Sequence, residues 1–242
     1  MSTKEGVLSI NCSFASEADA KDQTGLSGWT EVLMRGYGFE GDVDFANAQF
    51  TLEFGDDPDA KITVVHEGNK IVASLVLHKK PGFGDEIKAF NMHGIAIMPE
   101  YKRRGLGSLL YETAIRENGA QVLVGSSKNP AAAAARARAA FKCDMRTFLG
   151  SYEITSETEC GPSSDHLSLL EVYLGSKSTA SDPVTFISHT TPDILMSDVP
   201  KVEGFAPCIQ DAFAPLIHAQ REFGDVKTAT LPLLSIRRDL LK

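Results

Sequence analysis

Three consecutive cations run into a pair of glycines at Lys102-Arg103-Arg104-Gly105-Leu106-Gly107-Ser108, and no other stretch of this chain offers chemistry so directly. Glycine lets a backbone turn tightly and come close to a ligand. The first amides of a following helix, with its dipole, favour an anion above them. Lys102, Arg103 and Arg104 add positive charge beside those amides, so the first expectation is a phosphate-bearing ligand. The spacing lacks the lysine of GxxxxGK[ST] and the third glycine of GxGxxG, which sets aside two common nucleotide loops. The same residues also read as a basic surface turn ahead of an ordinary helix, and the surrounding elements must decide.

Those elements are legible from spacing. An apolar strand, Met92 to Ile97, precedes Pro99-Glu100-Tyr101 and the turn. Leu106, Leu109, Leu110, Ala114 and Ile115 recur at helical intervals, and Gly119 after Glu117-Asn118 is a stop signal. A short strand, Gln121 to Val124, leads through Ser126-Ser127-Lys128-Asn129 into a second helix from Ala131 to Ala140 that ends at Phe141. Asn129 suits the N-cap of that helix, and Pro130 its first position, where the missing donor costs nothing.

This succession resembles the coenzyme A-binding core of the GCN5-related N-acetyltransferase (GNAT) superfamily. Lys102-Arg103-Arg104-Gly105-Leu106-Gly107 matches the R/Q-x-x-G-x-G/A turn, with lysine in the usual Arg/Gln place. Ile97-Met98-Pro99-Glu100-Tyr101 matches the hydrophobic strand end and its frequent Pro-Glu-Tyr lead-in. Asn129 to Phe141 matches the later Asn-capped helix, with Ala140 where glycine is usual. The resemblance covers about fifty residues and implies a mixed α/β fold, the acyl-CoA N-acyltransferase fold, whose central strands splay to admit the cofactor.

The activity so implied is acetyl transfer from acetyl-CoA to a primary amine by direct attack on the thioester, a transferase reaction in the acyltransferase class. The resemblance assigns the amides of Arg103, Arg104, Gly105, Leu106, Gly107 and Ser108, with Lys102 and Asn129, to the cofactor. It pairs the edge of Ile95, Ala96 and Ile97 with the pantetheine. Strand alternation puts Asn91, His93, Ile95 and Ile97 on one face. His93, with an imidazole pKa near ~6.5, is suited to take the acceptor's proton directly or through water. A histidine satisfied inside the sheet is the other reading. Asn91 and His93 fall where arylalkylamine N-acetyltransferases carry two histidines. Many family members donate a proton to the thiolate from a tyrosine seven residues after the capping asparagine; here that position is Arg136, which can act only by charge because its pKa exceeds ~12. Ser126, Ser127 or Tyr152 are alternatives. Small-molecule amines are the first acceptor class, protein lysines or N-termini the second, and a degenerate coenzyme A-binding regulator the third.

The rest of the chain bounds this reading. It has 242 residues, 43% hydrophobic and 23% charged, with a net charge of −8. From Glu100 to Arg146 nine Lys/Arg face four Asp/Glu, a surplus of +5 that leaves −13 for the remainder. An acidic body with one basic segment suits an anionic cofactor. No long basic stripe with aromatics suggests nucleic acid, and no apolar run approaches the ~20 residues of a membrane helix. Cysteines 12, 143, 160 and 208 have no metal-ligand spacing and no disulfide framework. With no leader-like apolar segment at the start, a reduced, cytoplasmic protein is expected.

In chain order the expected elements are a strand at Val7 to Cys12, a helix at Gly25 to Met34, and an aromatic loop at Arg35 to Phe45. A hairpin follows, Ile62 to His66 and Ile71 to His78, turning at Gly68-Asn69. Beyond Phe141, strands are expected at Met145 to Tyr152 and Leu167 to Tyr173. Residues 1–174 are taken as the acetyltransferase domain and 175–242 as a C-terminal extension packing on the core. The extension offers a strand at Val184 to Ile187, a helix near Ala206 to Phe223 and a strand within Thr228 to Ile236. It could dock, form a homodimer contact or cap the acceptor site.

Overall fold

The computed structural model describes residues 8–14, 25–38, 57, 59–150, 152–154, 160–162, 202–223 and 231–241. The fold is mixed α/β, as expected. It divides into two compact units: residues 1–80 with 90–120, and residues 81–89 with 121–242.

The first unit holds an antiparallel run β1 (Leu8–Phe14), β2 (Lys61–Glu67), β3 (Lys70–Lys79) and β4 (Ala89–Ile97). Its pattern explains it. Val, Ile, Leu and Ala dominate β2 and β3, and Val64, Val65, Val72, Ala73, Leu75, Val76 and Leu77 are all buried. Gly68, at φ 60°, supplies the left-handed residue that a two-residue hairpin turn requires. Helix α1 (Gly25–Tyr37) and helix α2 (Leu106–Asn118) belong to the same unit. Gly36 of α1 lies so close to β4 that an added Cβ would stand 2.9 Å from the Cβ of Ala96 and 3.0 Å from the amide nitrogen of Ile97. Tyr111 of α2 donates its hydroxyl to the sulfur of Met92 at 2.9 Å. Ala96 and Met92 point to opposite faces of β4, so the two helices cover opposite faces of the sheet.

Two expectations change here. Arg35 to Tyr37 is not loop but the last turn of α1, because Gly36 serves close packing there rather than a bend. The remainder of the expected aromatic loop, from Phe39 to Phe45, lies outside the described residues. The strand expected at Met145 to Tyr152 is two strands, β7 (Met145–Leu149) and β8 (Tyr152–Ile154), since Gly150 adopts φ 56° and turns the chain back so that Leu149 opposes Tyr152.

The second unit contains β5 (Val122–Val124), β6 (Ser126–Ser127), β7, β8, β9 (Cys160–Pro162) and β10 (Leu231–Arg237), with helices α3 (Pro130–Lys142) and α4 (Pro207–Phe223). β10 is an interior strand, antiparallel to β5 on one side and to β7 on the other, and it also pairs with β6. One apolar cluster joins Ile209, Ala212, Phe213 and Leu216 of α4 to Ala133, Leu149, Ile154, Leu231 and Leu233. A second joins Ala89, Val122, Val124, Phe148, Leu234 and Ile236, with Phe83 and Ile87 against it. Residues expected as strands at Leu167 to Tyr173 and Val184 to Ile187, and the boundary at residue 175, lie outside the described residues.

Candidate functional site

β4 runs directly into the basic turn. Met98 closes the strand by donating to the carbonyl of Val72 at 3.0 Å, and Pro99–Tyr101 forms one 3₁₀ turn. Proline suits that turn because it presets φ and needs no donor. Arg103 (φ 64°) and Gly105 (φ 80°) then take left-handed backbone conformations two residues apart. Glycine does so without penalty, whereas Arg103 costs about 1–2 kcal/mol, a strain of the kind that accompanies ligand sites. Helix α2 starts at Leu106 with Gly105 as its N-cap and no side-chain cap. Its first intrahelical bond runs from the amide of Leu109 to the carbonyl of Gly105 at 3.1 Å. The amides of Leu106, Gly107 and Ser108 precede that bond and form the donor end of the helix.

The lead-in to the turn is pinned from several sides. Tyr101 is 7% exposed and donates its hydroxyl to the Glu67 carboxylate at the end of β2. That hydrogen bond, followed by burial and the charges of Glu67 and Glu100, raises the phenol above its ordinary 10.0, with Arg104 acting in the opposite sense. Glu100 pairs with Arg35 of α1 at 3.0 Å, and Arg35 also pairs with Glu31 at 3.1 Å. Lys70 stands 3.5 Å from Glu31 and 4.0 Å from Glu100, completing a surface network of four charges. Lys102 donates to the carbonyl of Gly36 at 3.3 Å. The guanidinium carbon of Arg104 sits 5.1 Å from the centre of the Tyr101 ring.

Along β4 the structure corrects the expected alternation. Leu77 opposes Met92 and Val76 opposes Gly94, so His93 is an extra residue, a bulge with no partner on β3. One inserted residue shifts everything after it by one face. Met92, Ile95 and Ile97 therefore share a face with Leu77, Leu75 and Ala73, while Asn91 shares the other with Gly94 and Ala96. Asn91 does not lie with Ile95 and Ile97. It is half-buried and stands opposite His78. His78 is held by Asp57, Nδ1 to Oδ2 at 2.7 Å, and the other oxygen of Asp57 accepts from the amide of Asp59 at 2.9 Å. A histidine oriented by a fixed carboxylate thus stands across from Asn91. Sequence reasoning missed it, because Asp57 reads only as turn and His78 only as a strand end; nothing local links residues 21 apart.

The second unit carries the remaining expected residues. The side-chain oxygen of Asn129 accepts from the amides of Ala131 (2.9 Å) and Ala132 (3.4 Å), so it caps α3 as expected. The Ser127 hydroxyl accepts from the amide of Asn129 at 3.1 Å. Arg136 has 0% exposure. It donates Nε to the Ser235 hydroxyl at 3.1 Å and Nη2 to the carbonyl of Leu123, while Ser235 also bonds Thr147 at 2.9 Å. Asn91, His93, Ile95 to Ile97 and Lys102 to Ser108 are thus contributed by one continuous β4–turn–α2 segment, and Asn129 and Arg136 by α3.

Among the described residues no helix is long and apolar enough to cross a membrane. The family model of the acetyltransferase (GNAT) family matches residues 27–141. A comparison with curated proteins returned no match. Similar solved structures include a GNAT family acetyltransferase from Brucella melitensis in complex with acetyl-CoA, at 12% identity and TM-score 0.38 over 50% of this chain and 76% of that one. The ribosomal-protein-S18-alanine N-acetyltransferase of Escherichia coli is similar at 18% identity and TM-score 0.35, over 50% of this chain and 68% of that one. An aminoglycoside acetyltransferase from an uncultured soil metagenomic sample, in complex with sisomicin, has 14% identity and TM-score 0.35, covering 46% and 70%.

Proposed function

From the premise that residues 27–141 carry a domain of the GNAT acetyltransferase family, we propose that this protein is a cytoplasmic, acetyl-CoA-dependent N-acetyltransferase acting on a primary amine of a small molecule. The observation that carries the reading is the uncapped start of α2 behind a doubly left-handed basic turn, placed directly at the end of β4. Donor amides, a helix dipole and adjacent cations are what a pyrophosphate needs. The edge of Ile95 to Ile97 takes the pantetheine.

The chemistry asks for two protons to leave the nitrogen, one before attack and one after, and for one to be supplied to the sulfur. An alkylamine with a pKa near ~10.4 arrives mostly protonated. His93, at the bulge of β4, takes that proton directly or through water. The neutral amine nitrogen then attacks the thioester carbonyl, the new C–N bond forms, the C–S bond breaks, and the nitrogen gives up its second proton to solvent to leave the neutral amide. The coenzyme A thiolate recovers a proton from solvent or from a hydroxyl such as Ser126, Ser127 or Tyr152. Arg136 could support that thiolate only by charge, and its bonds to Ser235 and Leu123 favour a structural role.

Acetyl-CoA turnover with a mixed panel of small amines, lysine peptides and peptide N-termini tests the reading. Release of free coenzyme A with a small amine is expected; binding without release on any acceptor would make the protein a coenzyme A-binding regulator. His93→Gln should lower kcat/KM by ~10²–10⁴, remove the acidic limb of the pH profile and leave acetyl-CoA affinity largely intact. A histidine that is only structural would instead lower the melting temperature at near-normal turnover per folded molecule.

A further inference from the structure

The three adjacent cations of the turn are held in three different ways. Lys102 reaches back to the Gly36 carbonyl in the last turn of α1, where a cation suits the helix dipole. Arg103 contributes a left-handed backbone at φ 64°. Arg104 alone lies across an aromatic face, 5.1 Å from the centre of the Tyr101 ring, within cation–π range.

We propose that Tyr101 is a positioning residue: anchored by Glu67, its ring holds the Arg104 guanidinium at the anion turn, and Arg104 rather than Lys102 is the side chain that meets the ligand's phosphate. This rests on the coenzyme A reading above and names the cation that reading leaves open.

The physical case is preorganisation. An exposed arginine must freeze several torsions to meet a phosphate, and that loss opposes binding. A guanidinium already stacked on a ring has given up much of that freedom before the ligand arrives. Tyr101 can serve as the platform because it is itself fixed, buried to 7% exposure with its hydroxyl on a carboxylate. Donation to an anion also enriches the ring in electron density, which strengthens its hold on a cation. Arginine then offers phosphate a planar fork of donors that never loses its charge, whereas the Lys102 ammonium is engaged on Gly36.

Calorimetric titration of the full chain with coenzyme A, and with pantetheine as a probe lacking phosphate, tests this. Arg104→Ala should weaken coenzyme A by about tenfold or more, the range for a lost charge-assisted hydrogen bond. Lys102→Ala should weaken it less. Tyr101→Phe and Glu67→Gln should each weaken coenzyme A by a few-fold, with pantetheine affinity unmoved. The double variant Arg104→Ala/Tyr101→Phe should be no worse than Arg104→Ala, because both act through one guanidinium. Full additivity, equal losses for pantetheine, or a larger loss for Lys102→Ala than for Arg104→Ala would overturn the assignment while leaving the coenzyme A site standing. A wild-type chain that does not bind coenzyme A would overturn both.

Discussion

Helices α2 and α3 are each 13 residues long, yet they begin in opposite ways. α3 closes its own donor end: Asn129 accepts from two of its first amides and Pro130 removes a donor at the first position. α2 has a left-handed glycine at its cap, no capping side chain, and three exposed cations before it. A glycine cap in place of a capping side chain costs only about a few tenths of a kcal/mol, and Arg103 adds its backbone strain on top. The chain evidently can cap a helix, since it does so at Asn129. The contrast supports the reading proposed above, in which the basic turn before α2 and its first amides meet an anionic ligand.

The largest expected effect that would break this comparison is on α2. Gly107→Glu puts a carboxylate in the first helical turn, where a phosphate would sit. A carboxylate there favours the helix through its dipole. Melting temperature should therefore hold or rise slightly while acetyl-CoA binding is lost in calorimetry. Retained affinity would remove the anion site.

A smaller effect is expected at α3. Asn129→Ala should cost about 1 kcal/mol of stability, read as a lower urea midpoint at unchanged slope. The resemblance assigns Asn129 to the cofactor as well. A loss of acetyl-CoA affinity beyond what the stability change explains would show that α3 is open to ligand too, and the contrast would fail.

Much of this segment was legible in the sequence because its signals are local. The helical recurrence from Leu106 to Ile115, the stop at Gly119 and the Asn129-Pro130 start act within one turn of the residues that carry them, and each element formed where they point. What was not legible depends on partners far along the chain. The bulge at His93 arises from pairing with β3, and it undid an alternation that β4 alone makes convincing. Gly36 reads as a loop glycine until β4 is seen against it. Tyr101 with Glu67, and His78 with Asp57, are long-range pairs that no spacing announces. Arg136, marked by its register after Asn129 as a stand-in for a tyrosine, is tied by the fold to Ser235, 99 residues away.

The smallest expected effect separates the two helix starts by pH. Tyr101 sits before α2 with its phenol raised above 10.0, first by the hydrogen bond it donates to Glu67. The folded state thus prefers the neutral phenol more strongly than the unfolded chain does. Its contribution is fully present below about pH 10, the unfolded value, and is lost as pH rises through the higher folded one. Melting temperatures of the wild type and Tyr101→Phe, followed from pH 7 to 11, should therefore differ most near neutrality and converge above pH 10. Other tyrosines and lysines titrate in both proteins and cancel in the difference. The deficit of Asn129→Ala rests on a neutral amide and should stay constant across the same range. Parallel curves for Tyr101→Phe would mean that its hydroxyl does not hold the approach to α2, and the open helix start would then owe its geometry to the glycine turn alone.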